Sequence, residues 1–410
     1  MIGSLYSGIS GLKANTSAMA VIGDNIANVD TTGFKASRVS FANIFSASLS
    51  QSSLQIGRGV ALNDVNPQWQ AGSLENTNSA TDLSINGAGL FMVDDPTSGI
   101  PYYSRAGQFE WDKDGNLVTP DGFIAQGYAL DPVTGAPGNI DDIVLPNGTS
   151  APNPTQNISF GMNLNSDAAV GDVFTNSITT YDSLGSEAVL DIEFTRTAAG
   201  WNWAVAAVDH TNPAATSGST GTLVFDAVGN LDPAASSPAS SNAPIAVTGI
   251  GPAADINLTW NYLDATGASD GSITGYSSES SKTAQSQDGY PSGTLQSVSV
   301  DEDGYFTGIY SNGSMIPFAQ LALADFASYS GLGKQGSNLY AESLTSGQAL
   351  IGPPNSAGRG SIASSTLEMS NVDLGTEFVE MITTQRAFQA NSKVITASDE
   401  ILAELLNIKR

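Results

Sequence analysis

Apolar residues recur at seven-residue intervals near both ends of the chain. Such heptads predict helices whose apolar seam packs against a partner helix. The N-terminal set is Leu5, Leu12, Met19 and Ile26. The C-terminal set is Leu367, Leu374, Met381, Phe388, Ile395 and Leu402. Because the two seams lie at opposite ends of one chain, we expect the ends to meet. The residues between them would then be carried on a two-helix stalk.

The first predicted helix covers about residues 4–29 and is weakened by glycine. Each glycine in a helix costs roughly 1 kcal/mol relative to Ala, so this helix should need packing in order to form. The glycines are Gly8, Gly11 and Gly23. The final helix is predicted to start near Asp373, with Ser370 or Asp373 as its N-cap, and to run to about Ile408.

Between the helices the apolar pattern changes to the alternation that is typical of strands. Residues 82–93 and 103–128 each predict a hairpin, with tight turns at Asn86-Gly87 and Asp114-Gly115. Residues 38–70 show no clear period beyond the end of the first helix. We therefore predict an extended connector there, with at most short structure.

A second β unit follows a stretch rich in Pro, Gly, Asn and Asp at residues 131–154. Its apolar residues alternate with polar ones along three predicted strands. The inward-facing sets are Leu190, Ile192 and Phe194, then Trp201, Trp203 and Val205, then Ile256, Leu258 and Trp260. This pattern predicts a small antiparallel sandwich or barrel.

The predicted fold class is α+β and mostly β. Terminal α-helices form a coiled-coil-like stalk, and two antiparallel β domains follow, the second inserted in the first. The predicted domains are 1–30 with 366–410 for the helices, 31–70 for the connector, 71–152 with 285–365 for the first β domain, and 153–284 for the inserted one.

Composition and charge exclude several function classes. The formal net charge of −26 argues against nucleic-acid binding, which needs clustered Lys and Arg. The chain has no Cys, so disulfides and thiolate metal sites are impossible. No apolar run reaches the ~20 residues that span a membrane. The first residues lack the parts of a cleaved secretory signal, so we expect any export to use another route.

Beside residues 82–93 and 103–128, which resemble its shared β domain, three stretches resemble one family, the bacterial flagellar rod and hook proteins. The first is NIANVDTTGFK at 25–35, and the second is the C-terminal helix from SNVDLGTEF onwards. The third, QDGYPSG at 287–293, is similar to the hook branch in particular. The signature residues that carry the N-terminal resemblance are Asn25, Asn28, Thr32, Gly33, Phe34 and Lys35. The resemblance is weakest over residues 153–284.

The resemblance implies a structural subunit without enzymatic activity or cofactor. Such subunits polymerise into a curved hollow tube outside the cell, the flagellar hook, which acts as a universal joint and transmits torque from rod to filament. The implied partners are further copies of the chain, distal rod, hook cap and hook–filament junction proteins, and the export apparatus. A distal rod protein, a secreted β-rich adhesin and an extracellular glycosidase are the alternatives.

The terminal helices are the predicted polymerisation element. Polar and small residues flank their seams, so each helix pair would have a thin core and flanks that neighbouring subunits can contact. An ordinary intramolecular helix pair is the simpler interpretation. The predicted polymerisation residues are Leu5, Leu12, Met19, Ile26, Leu374, Met381, Phe388, Ile395 and Leu402.

The candidate chemical groups each have a simpler interpretation. His210 lacks a nearby nucleophile, which predicts a surface loop residue. Asp191 and Glu193 share a strand face, as paired catalytic carboxylates would, but so do the residues of any solvent-facing strand. Residues 110–121 place acidic groups at EF-hand spacing, but a hairpin turn at Asp114-Gly115 explains them as well. We predict no catalytic, cofactor or metal site.

Overall fold

The structure is a computed structural model, and it describes residues 2–45, 57–131, 134–146, 148–210, 216–239, 241–249, 251–264 and 266–408. Within these ranges a long helix lies at each end of the chain, α1 at Ile2–Ala27 and α2 at Leu374–Ile408. A short 3-10 turn covers Tyr329–Gly331, and most other regular structure is strand. The predicted fold class, mostly β with a helix at each end, is confirmed.

The strands are numbered in chain order. They are β1 Ser37–Phe45, β2 Gly57–Pro67, β3 Leu74–Asn76, β4 Leu83–Asn86, β5 Leu90–Asp94, β6 Pro101–Ser104, β7 Glu110–Trp111, β8 Leu117–Val118, β9 Ile124–Leu130, β10 Pro137–Asp142, β11 Thr149–Ser150, β12 Asn157–Asn163, β13 Val173–Tyr181, β14 Glu187–Arg196, β15 Trp201–His210, β16 Thr216–Ser217, β17 Thr220–Leu223, β18 Ala243–Thr248, β19 Ile256–Trp260, β20 Ile273–Thr274, β21 Ser281–Gln287, β22 Gly293–Val300, β23 Tyr305–Tyr310, β24 Met315–Leu321, β25 Leu323–Asp325, β26 Gly333–Gly336, β27 Leu339–Ala341, β28 Leu350–Gly352, β29 Ser361–Ser364 and β30 Thr366–Glu368.

The chain forms two compact units. The first comprises Met1–Pro146, Val298–Gly308 and Ile316–Arg410, and the second comprises Asn147–Ser297 and Ile309–Met315. The first unit therefore contains both helices, and the second is an insertion between its parts. The finer domain limits drawn from the sequence stay a prediction.

The β body of the first unit is built around β5 and β9. Strand β5 pairs with β6, β9 and β25, and β9 also pairs with β8, β10 and β24. Two short ladders, β4 with β29 and β3 with β30, join residues far apart in sequence. The largest buried cluster of this unit includes Leu83, Ile85, Phe91, Phe109, Leu117, Phe306, Leu321 and Leu323.

The hairpin predicted over residues 82–93 is wrong. Strand β4 pairs with β29, whereas β5 pairs with β6, β9 and β25, so Asn86-Gly87 connects two ladders. Gly87 has φ of 123°, and a β-carbon there would lie 2.9 Å from Cα of Gly360. The turn residues were recognised correctly, but a turn signal does not specify which strands it pairs.

The extended connector predicted over residues 31–70 is also wrong. Strands β1 and β2 are nine and eleven residues long and pair antiparallel, with irregularities beside Phe41 and Phe45. Gly59 of β2 lies directly against α1, because a β-carbon there would meet Oγ of Ser10. The Ser-rich run between the two strands lies outside the described residues. Because the strands carry bulges, they have no clean two-residue period.

The second unit contains two sheets with a shared apolar core. One sheet has the antiparallel order β13-β14-β15-β17, and the other has the order β16-β18-β19-β12-β20 with β21 also on β12. Strand β12 pairs parallel with β19 and β20 over short stretches. The three inward-facing sets predicted from the sequence are buried as expected.

One turn type recurs in both units. In five turns of the described residues, an Asp Oδ1 accepts the amides two and four residues later, at 2.7–3.1 Å. The fourth residue is always a glycine with positive φ, a conformation that glycine adopts readily. The turns begin at Asp112, Asp182, Asp226, Asp264 and Asp301.

This turn accounts for the calcium-like spacing at residues 110–121. Strands β7 and β8 flank it as a hairpin, and Oδ1 of Asp112 is occupied by the amides of Asp114 and Asn116. The hairpin interpretation is therefore confirmed. Among the described residues, no group of three or more His, Asp or Glu side chains is placed to hold a metal ion.

The prediction that His210 is a surface loop residue is wrong. His210 is the last residue of β15, and its side chain is only 2% exposed. Its Nε2 lies 3.1 Å from Oδ2 of Asp182, the turn aspartate with which it pairs. By contrast, Asp191 lies beside the Ser177 hydroxyl on the polar strand face, as its simpler interpretation predicts.

Candidate assembly site: the terminal helices and their junction

The two terminal helices pack against each other in antiparallel directions. Near one end, Oγ of Ser4 lies 3.4 Å from Oγ of Ser398, and a β-carbon at Gly8 would lie 3.0 Å from Cγ1 of Ile395. Near the other end, Nδ2 of Asn25 donates to Oε1 of Glu377 at 3.1 Å. The expectation that the chain ends meet is therefore confirmed.

The buried line of α1 is displaced from its predicted heptad. Leu5, Leu12, Met19 and Ile26 are only half-buried. The buried residues are Gly8, Gly11, Ala14, Ala18, Ile22 and Asn25. Strand β2 explains the displacement, because it packs on α1 beside α2 and the amide of Val60 donates to Oγ of Ser10. A helix held between two neighbours buries a line between its two contact faces, and small residues allow close approach.

The heptad of α2 does face α1, but shallowly. Met381, Phe388, Ile395 and Leu402 are half-buried, and Leu374 is exposed. The assignment of Leu367 to this helix is wrong, because Leu367 lies in β30. Helix α2 begins at Leu374, where Oδ1 of Asp373 accepts the amide of Thr376, so Asp373 is the N-cap.

Apolar side chains also stand on the parts of α2 that face away from α1. Five such residues are between 44% and 61% exposed, and at 100° per residue they fall within an arc of roughly 160° on the side away from the seam. They are Phe378, Val379, Ile382, Val394 and Ile401. On α1, Tyr6 is similarly exposed. A helix that is apolar on more than its packed face has surface for a further partner.

Asn25 of the signature joins α1 to β1 and to α2 at the base of the helix pair. It donates Nδ2 to the carbonyl of Ser37 at 2.9 Å and accepts the Ser37 amide at 2.8 Å. It also donates to Glu377 in the first turn of α2. Burial raises the pKa of Glu377 above its usual value, and Glu380 and Asp373 add to this against the hydrogen bond from Asn25.

The other signature residues shape the exit from α1. The Asn28 side chain accepts from Thr31 at 3.1 Å, and the carbonyl of Thr32 accepts from Asn338 at 2.9 Å. Gly33 has φ of 68°, and a β-carbon there would lie 2.5 Å from the amide nitrogen of Ala106. Phe34 is buried beneath Lys334. Glycine is therefore required at residue 33 by both conformation and space.

Lys35 enters a buried cluster of three charged side chains. Its Nζ lies 2.5 Å from Oε1 of Glu368, and Nη1 of Arg105 lies 3.2 Å from Oε2 of the same carboxylate. The side chains of Lys35, Glu368 and Arg105 are 0%, 1% and 6% exposed. Burial lowers the pKa of Lys35, while Glu368 opposes that shift. We name these three residues the junction cluster.

Sequence reasoning identified Lys35 and missed its partners. Glu368 falls near the start of the predicted helical domain at 366–410, and Arg105 falls within the predicted hairpin at 103–128. A signal was available, because Lys and Arg number only fourteen in the chain and Arg105 closely follows the aromatic pair Tyr102 and Tyr103. What the sequence lacked was the long-range pairing that brings residues 35, 105 and 368 together.

Together, the helix pair, its exposed apolar surface and its buried polar base are typical of a structural, self-assembling subunit. No helix in the described part of the chain is long and apolar enough to cross a membrane. Family models match along the chain in the order that the fold suggests. They are the flagella basal body rod protein at residues 5–35, the flagellar hook protein FlgE/F/G D1 domain at 84–163, the flagellar basal body protein FlaE D2 domain at 165–290, and the flagellar basal body rod FlgEFG protein C-terminal at 363–408.

Whole-chain relatives agree with these domain matches. The flagellar hook protein FlgE of Borreliella burgdorferi is 34% identical, with 100% of each chain covered. FlgE of Salmonella typhimurium is 33% identical, covering 99% of this chain and 100% of the relative. FlgE of Escherichia coli K12 is also 33% identical, covering 98% of each. The chain belongs to the flagellar hook protein family.

A solved structure agrees with the fold. The crystal structure of Helicobacter pylori flagellar hook protein FlgE2 matches with a TM-score of 0.52 at 15% identity, covering 72% of this chain and 100% of that one. At this identity the likeness concerns the fold alone.

Proposed function

We propose that the chain is a structural subunit of a bacterial flagellar hook, and that it polymerises through its terminal helices. The observation that carries this proposal is the exposed apolar surface of α2, on Phe378, Val379 and Ile382 near its start and on Val394 and Ile401 further along. Exposed apolar side chains on a helix already packed on one side favour coverage by another chain. Because the protein belongs to the flagellar hook protein family, we take the covering chain to be a further copy of the same protein.

Polymerisation of this kind produces a tube. Identical subunits that bind through two different surfaces add head to tail, and when the rotation does not close a ring they form an open helical assembly. In our proposal the terminal helices form the inner wall, the first β domain a middle layer and the inserted domain the outer layer. The polymerisation residues include the seam residues Leu5, Leu12, Met19 and Ile26 of α1 and Leu374, Met381, Phe388, Ile395 and Leu402 of α2.

The proposed tube is curved and lies outside the cell. It acts as a universal joint that carries torque from the rod to the filament, and the subunit itself catalyses no reaction. Its end partners are the distal rod, hook cap and hook–filament junction proteins. The subunit reaches this place through the flagellar export apparatus.

The test is tube formation by purified protein. We expect the double variant Phe378→Ser with Ile382→Ser to keep the circular dichroism of the free subunit, because both side chains are exposed, and to lose tubes in electron micrographs. Val228→Ser is the matched control, since Val228 is an exposed apolar residue of the second unit. If the double variant forms tubes as readily as the control, α2 is not the polymerisation surface.

A second measurement addresses the helices themselves. We propose that they are disordered in the free subunit and fold on assembly, because α1 contains four glycines and both seams are only half-buried. Circular dichroism should then show more helix in the polymer than in the free subunit. Equal helix content in both states would contradict this.

The shape of the tube separates the remaining alternatives. Short curved tubes support the hook proposal, whereas straight tubes would favour a distal rod protein. A β-rich adhesin would keep its ligand binding after deletion of both terminal helices, and would form no tubes.

A further inference from the structure

The junction cluster joins three separate segments through one carboxylate. Oε1 of Glu368 accepts from Nζ of Lys35 at 2.5 Å and from the amide of Gly72 at 2.9 Å, and Oε2 accepts from Arg105 at 3.2 Å. Arg105 also donates to the carbonyl of Ile85 at 3.2 Å. Two cations therefore share one buried anion, and each remaining donor contact goes to a fixed backbone oxygen.

Both connections to the helices pass through this cluster. Lys35 follows α1 in the chain, and Glu368 precedes α2. The main chains of the two connections are also joined, because the amide of Gly33 donates to the carbonyl of Glu368 at 2.7 Å. Arg105 belongs to the β body, next to β6. A change in the direction of the helices relative to this body is therefore opposed by the contacts of Glu368.

Stability alone is a poor explanation for such a cluster. Replacing a complete buried ion set with apolar residues of similar volume is often neutral or stabilising, whereas removing one member leaves a buried charge without its partner. An apolar replacement cannot reproduce the fixed direction of the hydrogen bonds to Glu368. Charge-assisted hydrogen bonds to a planar carboxylate hold their donors at defined angles.

We propose that Glu368 is a positioning residue, which fixes the direction in which both terminal helices leave the β body of the first unit. In this way it sets the geometry of the assembled tube. This rests on the proposed hook function. Lys35 and Arg105 act through Glu368, from the α1 connection and from the β body respectively. The load carried by the helices passes to the β body across these contacts.

The decisive variant replaces the whole cluster: Lys35→Met with Arg105→Met and Glu368→Leu. We expect its midpoint of thermal unfolding to fall less than that of Glu368→Gln, because no buried charge is left unpaired and only backbone groups such as the Gly72 amide lose a partner. We also expect its tubes to have a different curvature or subunit repeat in electron micrographs. Tubes of unchanged geometry, or an unfolding midpoint lower than that of Glu368→Gln, would overturn the positioning role.

Single variants sharpen the test. Glu368→Gln leaves two buried cations and should lower the unfolding midpoint by roughly 10 °C. Glu368→Asp keeps the charge and should restore tube geometry towards that of the parent. The matched control is Asp114→Asn, which breaks an exposed ion pair with Lys113 and should change neither property.

The two proposals fail in different ways. If the parent chain forms no tubes, the hook function fails and the geometry readout cannot support the positioning role. If the parent forms curved tubes and the triple variant forms identical ones, only the positioning role of Glu368 is lost.

Discussion

The inserted β unit and the terminal helix pair use apolar residues in opposite ways. The second unit encloses Trp201, Trp203 and Trp260 in one core, where each is at most 1% exposed. Apart from the buried Ile22, the helix pair leaves its large apolar residues half-buried at the seam or exposed on its outer faces. Burial of apolar surface is the main favourable term in folding. The second unit therefore has what it needs to fold within one chain, and the helix pair does not.

The difference indicates where neighbouring copies are needed. A packed sandwich gains little from a neighbour, since its core is already removed from water. A helix pair with a thin seam is stabilised as a folded element when helices of neighbouring copies cover it, and the same contacts join the copies. Each of the following predictions compares one region with the other.

The largest effect is expected in the core of the second unit. Trp260 contacts Trp203 edge to face with ring centroids 5.4 Å apart, and it also contacts Phe160 and Phe194. Trp260→Ala should destabilise the unit by about 3–5 kcal/mol, because it removes a large side chain and leaves a cavity. Denaturant unfolding followed by tryptophan fluorescence measures this. Val228→Ala, an exposed position, should change the free energy of unfolding little, and equal effects would contradict the comparison.

An intermediate effect is expected at the helix seam. Gly8→Leu places a side chain where Ile395 already lies, and overpacking of this kind costs about 1–3 kcal/mol. In the free subunit the change should be nearly silent, but the yield of tubes should fall about tenfold for each 1.4 kcal/mol. Sedimentation of assembled protein measures the yield.

The control for the seam is Gly3→Leu. A β-carbon at Gly3 of α1 would meet nothing within 4 Å, so this variant adds only helix propensity. It should assemble at least as well as the parent. If both leucine variants lose tubes to the same degree, close packing at Gly8 is not what matters.

The smallest effect is expected from titration at the base of the helices. The pKa of Glu377 is raised from 4.5 in the folded chain. When folding raises the pKa of a carboxyl group, the protonated group contributes to stability at low pH. That contribution is lost as the pH rises through the pKa of the group in the folded chain. Glu377→Gln should remove this dependence of stability on pH. It should also stabilise the base of the helix pair at neutral pH by less than about 1 kcal/mol. Glu400→Gln, at an exposed carboxylate near the other end of α2, should leave the dependence in place.

The measurement for this prediction is amide exchange in the first turn of α2 between about pH 4 and pH 8. Once intrinsic exchange rates are corrected, the parent should open more readily at the higher pH. An identical pH dependence in the parent and Glu377→Gln would show that another group is responsible.

Much of the fold could be predicted because its signals are local. The strands of the second unit, the turn at Asp114-Gly115, and the limits of α2 follow from alternation, turn chemistry and capping. The partners of those elements could not be predicted in the same way. Strands β4 and β5 adjoin the predicted turn at Asn86-Gly87 and pair elsewhere, and β1 with β2 lack a clean period because of their bulges.

The sequence by itself determined the class of the elements and the family, through the heptads, the alternating strands and the signature at residues 25–35. Only the tertiary structure decided which side of α1 is buried, because β2 and α2 both pack on it. It also decided that Lys35 meets Glu368 and Arg105, and that His210 meets Asp182. The period of apolar residues indicates which face of a helix or strand is buried. A pairing across hundreds of residues depends on how those elements close on one another, which local patterns do not encode.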